Sequence, residues 1–144
     1  MELKKEVEIT QISIYCDIVL MLIKEHQSIS LMKLIVFSYL VKRESFLPNT
    51  VFKSTNKKDI VNKYLSMLSG DMDKLLISYE YILKAIHILV KNEIIIFDGF
   101  TISKTEKLDV SKFVYSEKDF TKKVIERTKY MSDKQFMREV LAHV

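Results

Sequence analysis

Three histidines (His26, His87 and His143), one cysteine (Cys16) and the close acids Asp71 and Asp73 are the residues of this chain whose types invite a chemical role. Their spacing does not support one. The histidines fall in no HExxH or HxH pattern, so the arrangement that turns two imidazoles onto one metal is missing. Two glycines, Gly70 and Gly99, are too few for a loop whose backbone amides cradle a phosphate. Asp71 and Asp73 begin like a calcium loop, but the glycine and closing glutamate of such a loop do not follow. As first-turn acids they would instead offset a helix dipole. Cys16 has no histidine beside it in sequence and lies on an apolar face, where a thiol serves as a small core hydrophobe; a fold could still bring His87 to it. His143 falls at a fraying terminus. These residues predict a chain without catalytic groups, metal, cofactor or small-molecule substrate.

Cations offer a different chemistry. Lys and Arg number 23 against 19 Asp and Glu, a net charge of +4. Such a balance permits weak attraction to nucleic acid or to an acidic protein. Lys53, Lys57, Lys58 and Lys63 cluster with Asp59 as the single acid among them, and are candidates for contact with DNA phosphate. Lys84, His87 and Lys91, three and four residues apart, form one stripe on a helix, which adds Lys84 and Lys91 to those candidates. The contact would be non-specific: that helix has no Arg, and Glu93 and Asp98 after it repel phosphate.

Apolar side chains point to protein partners. Seven Met, eight Phe and seven Tyr exceed what a small core needs, and methionine and aromatics are over-used at interfaces. Phe136, Met137, Val140 and Leu141 form a stripe near the C-terminus, suited either to a groove on a partner or to folding back on the chain's own core.

The elements that would position these groups are mostly helices. The chain has one proline, Pro48, and 48% apolar residues, which disfavours a β-sandwich and a disordered tail alike. Apolar periodicity predicts a nearly all-round apolar, hence buried, helix over 9–25. A second helix follows over 31–43 with Ser30 as N-cap, then an irregular connection over 44–56. Asn56 would cap a helix over 57–68, and Ser69-Gly70-Asp71 breaks the chain. A long helix from Met72 to Lys91 follows, with Ser78 a point of interruption. Ile94–Phe97, Asp98-Gly99 and Phe100–Ser103 read as a β-hairpin with a two-residue Asp-Gly turn. A helix running into such a hairpin is the tail of a winged-helix unit. Ser116 with Asp119 and Ser132 with Gln135 resemble capping boxes for helices over 117–130 and 133–143. The expected architecture is mainly α: a helical, winged-helix-like domain over 1–104 and a C-terminal helical extension over 105–144.

The single cysteine allows no disulfide within one chain and fits a reducing compartment, the cytoplasm. The longest apolar run, Ile18–Ile23, is far short of the roughly 20 residues that span a bilayer, and no targeting signal is expected at the start.

The run Ile29–Arg43, then Leu47-Pro48, then the 59–68 helix and the long helix into Asn92–Ser103, resembles the small middle component of three-component ABC-type systems, among them Lamassu-type bacterial defence operons. The resemblance covers roughly residues 8–104 and rests on an order of elements. It implies a non-catalytic subunit joining an SMC-like ATPase to an effector, often a nuclease, in defence against phage or plasmids. A winged-helix DNA-binding regulator acting as a homodimer is the alternative expectation. A phage or mobile-element protein that inhibits a host partner is a third.

Overall fold

The computed structural model describes residues 2–45, 60–108 and 112–144. Helix α1 (Glu2–His26) starts seven residues before the apolar period does. Its first turns are rich in Lys and Glu, good helix formers. They leave Leu3, Val7 and Ile9 exposed, so propensity rather than burial extends the helix there. Further on, Tyr15, Ile18, Val19, Met21, Leu22 and Ile23 are buried, the nearly all-round burial that the sequence implies. Gln27 then turns the chain with a left-handed φ of 68°.

Strand β1 (Ser28–Ser30) was not expected. Three residues carry no readable period; the strand exists because Ile29 lies opposite Ile102 in the register, and both are buried. Ser30 then caps α2 (Leu31–Glu44), its side chain accepting from the Lys33 amide at 3.4 Å. The central run Leu34–Val41 is buried throughout. Asn56, with most of the expected irregular connection and the first turn of the next helix, lies outside the described residues. Helix α3 (Ile60–Leu65) closes in a 3-10 turn, Ser66–Leu68, and Ile60, Tyr64 and Leu68 point inward. Gly70, at φ 77°, turns the chain into α4 (Met72–Lys91), which passes Ser78 without a break.

Strands β2 (Ile95–Phe97) and β3 (Thr101–Lys104) form the hairpin, with its turn one residue later than expected. Phe97 pairs with Ile102, and the Asp98 amide donates to the Thr101 carbonyl, which leaves Gly99 and Phe100 at the centre. Only Gly99 needs positive φ. Asp98 acts from the flank: its carboxylate accepts from the amides of Phe100 and Thr101 at 2.8 and 2.7 Å, which holds it below its ordinary pKa.

The strands form one antiparallel sheet in the order β1-β3-β2. A first helix, a short strand, further helices and a hairpin whose second strand pairs with that first strand make the winged-helix-like unit, with α3 between α2 and α4. The fold is mainly α with a β-hairpin. The tail supplies α5 (Asp119–Thr128) and α6 (Asp133–His143). Ser132 caps α6, accepting from the Gln135 amide at 3.1 Å. Ser116 does not cap α5; Lys118 holds that position and makes no side-chain capping bond.

The expected boundary at residue 104 separates elements along the chain but not cores. Phe120, Val124, Ile125, Phe136 and Val140 join the same buried cluster as α1, α2 and α3. The Phe37 ring lies 6.0 Å from that of Tyr64 and 5.4 Å from that of Phe136. Helices α5 and α6 are built into the same core.

Candidate interaction surfaces

The phosphate candidates fare unequally. Lys53, Lys57 and Lys58 lie outside the described residues. Lys63 is exposed on α3. Lys84, His87 and Lys91 do share an exposed face of α4. Lys84, however, is neutralised by Glu8 of α1 and, one turn back, by Glu80 at 3.6 Å, and this pairing raises its pKa. The hairpin beside it presents Ile96, Phe97 and Phe100 to solvent, with Lys104 at the end of β3 as its one exposed cation. Glu93 is held by Lys107 at 2.9 Å. An approach of α4 and the hairpin to a DNA backbone would bring apolar rings and Asp98 to the phosphates. That arrangement does not favour groove reading.

The C-terminal stripe splits into two. Phe136 (0% exposed) and Val140 (2%) are core residues, packed on the chain's own helices; of the four, they are corrected from partner contacts to structural ones. Met137 is half-buried and Leu141 is 62% exposed. The physical reason is the turn of the helix: side chains one residue apart point about 100° away from each other, so a stripe four residues wide cannot face one neighbour alone.

Met137 and Leu141, with the edge of Val140, form one wall of an apolar groove of about 200 Å³. Met32, Ile35 and Val36 of α2 make its floor, and Met72, Leu75, Leu76 and Tyr79 of α4 its other wall. Leu76 is 61% exposed. On the far side of the same stretch of α4 lies a second hollow, about 360 Å³, lined by Val7, Tyr15, Tyr39, Ile77 and Tyr81. Lys42, Arg43 and Lys74 rim it. Lys42 lies over the Tyr15 ring at 5.3 Å and is hydrogen-bonded to Gln11; burial lowers its pKa. Arg43 donates to Asp71 at 3.0 Å, as does the Tyr39 hydroxyl at 2.8 Å. Burial pushes the Asp71 carboxyl upward, but those two bonds outweigh it and hold the pKa below its ordinary value. Asp71 therefore fastens α2 to the start of α4. The first half of α4 stands as an apolar ridge between two hollows.

Cys16 is half-buried, with its thiol 3.9 Å from the Ala85 carbonyl; burial raises its pKa, as for a packing residue. Among the described residues, no cluster of three or more His, Cys, Asp or Glu is placed to hold a metal ion.

One group of titratable residues escaped the sequence altogether. His26 at the end of α1 meets Glu117 at 2.5 Å, both buried. Beside them Glu44, 1% exposed at the end of α2, accepts from Thr121 at 2.6 Å and from Tyr64 at 3.1 Å. Lys118 donates to the Glu44 carbonyl at 3.2 Å. Burial drives the Glu44 pKa up to about 6, and nearby Glu117 adds to the rise against the two hydroxyl bonds and Lys118. No hollow described above is lined by these residues, so they act as a clasp between α1, α2, α3 and α5. Lys33 extends it, donating to the Met131 carbonyl at 2.6 Å. Nothing in the spacing of His26, Glu44 and Glu117 announces the group, because its members are brought together only by tertiary packing.

No helix among the described residues is long and apolar enough to cross a membrane. No family model, curated protein or solved structure matches the chain.

Proposed function

We propose that this chain is a non-catalytic adaptor or regulatory subunit, working in the cytoplasm, that takes a helix of a partner protein into the groove between α2, α4 and α6. The observation that carries this reading is the groove itself: three helices line it with Met, Leu, Ile and Tyr, and Leu76 and Leu141 stand open on its two walls. Open apolar walls on a polar-rimmed protein mark a binding surface, and methionine lets such a surface repack around its ligand. The occupant is a helix with an apolar ridge and acidic residues along one flank. Its ridge fills the groove, and its acids lie across the ridge of α4 towards the exposed Lys74. The resemblance in element order supplies the partner class: an SMC-like ATPase and its effector, in defence against phage or plasmids.

The test is co-expression with a coiled-coil ATPase encoded beside this chain, followed by purification of the complex. Leu76→Glu with Leu141→Glu should release the ATPase while the variant keeps its fold by circular dichroism. A folded double variant that still holds the ATPase would remove the groove from the interface. A concentration-dependent dimer of the chain alone, abolished by the same variant, would assign the groove to a second copy and overturn the adaptor assignment. ATP hydrolysis or DNA cleavage by the purified chain, lost on a single substitution, would overturn its non-catalytic part. Tight, palindrome-specific DNA binding would put the regulator reading in its place.

A further inference from the structure

The turn between α5 and α6 carries a surface apart from the groove, which the clasp reaches only through the Met131 carbonyl. Tyr130, two residues after α5 ends, is 90% exposed. A tyrosine ring so exposed contributes little to the fold and presents its face to solvent. It stands between two open hollows of about 480 and 570 Å³, and Arg127 and Tyr130 line both. Lys123 and Lys129 border the larger one, over Ile60 of α3; Asn62 of α3 borders the smaller.

Three cations there have no ion pair among the described residues. Arg43, Lys84, Lys107 and Lys122 each have a carboxylate within 4.0 Å, whereas Lys123, Arg127 and Lys129 have none among the described residues. Glu126 borders the larger hollow and Glu139 the smaller, so the cationic excess lies on the Lys123 and Lys129 side.

We infer that this surface binds single-stranded nucleic acid, with a base stacked on the Tyr130 ring and the flanking phosphates held by Lys123, Arg127 and Lys129. An exposed ring supplies a face that any base can use, and adjacent cations track the backbone, which is the combination that distinguishes single strands from duplex. A duplex hides its base faces and would leave Tyr130 idle. The surface is distinct from the groove and shares no lining residue with it.

The experiment is fluorescence anisotropy of the full chain with a labelled oligothymidine and with a duplex of equal length, at low and at physiological salt. The single strand should bind more tightly than the duplex. Tyr130→Ala should weaken it by about tenfold or more, and Tyr130→Trp should retain it. Lys123→Glu with Arg127→Glu should weaken binding and flatten its salt dependence. All three variants should melt where the parent does, since the altered side chains are exposed. Equal affinity of Tyr130→Ala and the parent would overturn the inference and leave simple electrostatic attraction. Preference for duplex, or no binding at low salt, would overturn it as well.

Discussion

Helix α6 belongs to two regions of opposite character. On one stripe Phe136 and Val140 enter a seam where apolar packing is reinforced by buried polar links: His26 to Glu117, Glu44 to Thr121 and Tyr64, Lys33 to the Met131 carbonyl. On the next stripe Met137 and Leu141 edge a groove lined by aliphatic side chains, methionines and the Tyr79 ring. Hydrogen bonds are directional, and breaking a buried one costs the desolvation of both partners, so the seam admits one arrangement of helices. Dispersion and burial are not directional, so the groove imposes no such constraint on what packs against it. The difference teaches where the chain is committed and where it is open. The seam fixes α5 and α6 to the domain; the groove leaves a face for something else.

The comparison breaks most visibly at Phe136. It is wholly buried, 5.4 Å from the Phe37 ring, and Phe136→Ala should cost about 3–5 kcal/mol. The melting temperature would fall by roughly 6–20 °C on the scale of a domain of this size. A loss below about 1 kcal/mol would mean that α6 leaves the seam in solution.

Much of this division was hidden in the sequence, and the reasons are physical. The helices were legible because each carries a 3.6 period and, at Ser30 and Ser132, a capping side chain that the structure uses. Phe136 and Leu141 look alike as letters in one apolar stripe, yet one is buried and the other 62% exposed. Which neighbour a stripe meets is decided by tertiary packing, and periodicity cannot report it. In α4 the same period runs from Leu75 to Leu89, but only Ile82, Ala85, Ile86 and Leu89 are buried. The clasp was illegible for a related reason: His26, Glu44 and Glu117 are far apart in sequence and gain meaning only when α1, α2 and the approach to α5 converge. Strand β1 was too short to signal itself, and the hairpin register moved one residue because Asp98 is used as a cap rather than as a turn centre.

Protonation sharpens the comparison with a smaller effect, confined to the seam. The folded Glu44 carboxyl titrates at about 6 against an ordinary 4.5, so the fold binds a proton there that the unfolded chain has already lost. Glu44 therefore favours the fold below about pH 4.5, and this advantage fades as pH rises through 6, by about 2 kcal/mol in all. Asp71, Glu93 and Asp98, with lowered pKa values, act in the opposite sense at more acid pH, losing their contribution as pH falls through the folded values. Glu44→Gln keeps an oxygen for Tyr64 and Thr121 and places an amide where the Oε1 atoms of Glu44 and Glu117 have no partner among the described residues. The variant should be more stable than its parent at pH 7.5 and should lose the parent's decline between pH 4.5 and 6.5. Chemical denaturation across that range measures it; parallel curves for the two proteins would remove Glu44 from the pH response.

The smallest effect on stability, and the sharpest on binding, lies on the ridge of α4. Leu76 and Ile77 are neighbours, 61% and 58% exposed, and they face different hollows: Leu76 the apolar groove, Ile77 the hollow rimmed by Lys42, Arg43 and Lys74. Exposed apolar side chains give the fold little, so Leu76→Ser and Ile77→Ser should each change stability by no more than about 0.5 kcal/mol. A partner helix seated in the groove buries Leu76 fully, and losing that burial should weaken binding by at least tenfold, on a scale of about 1.5–3 kcal/mol for a large apolar side chain. On the proposed docking mode, Ile77→Ser should weaken it less, because Ile77 lines the other hollow and not the groove that takes the apolar ridge. Isothermal titration with the purified partner subunit ranks the two. The reverse order would move the docking face from the groove to the basic hollow. A fall of several degrees in the Leu76→Ser melting temperature would mean instead that the chain closes the groove on itself, and that the seam and the groove are one continuous core.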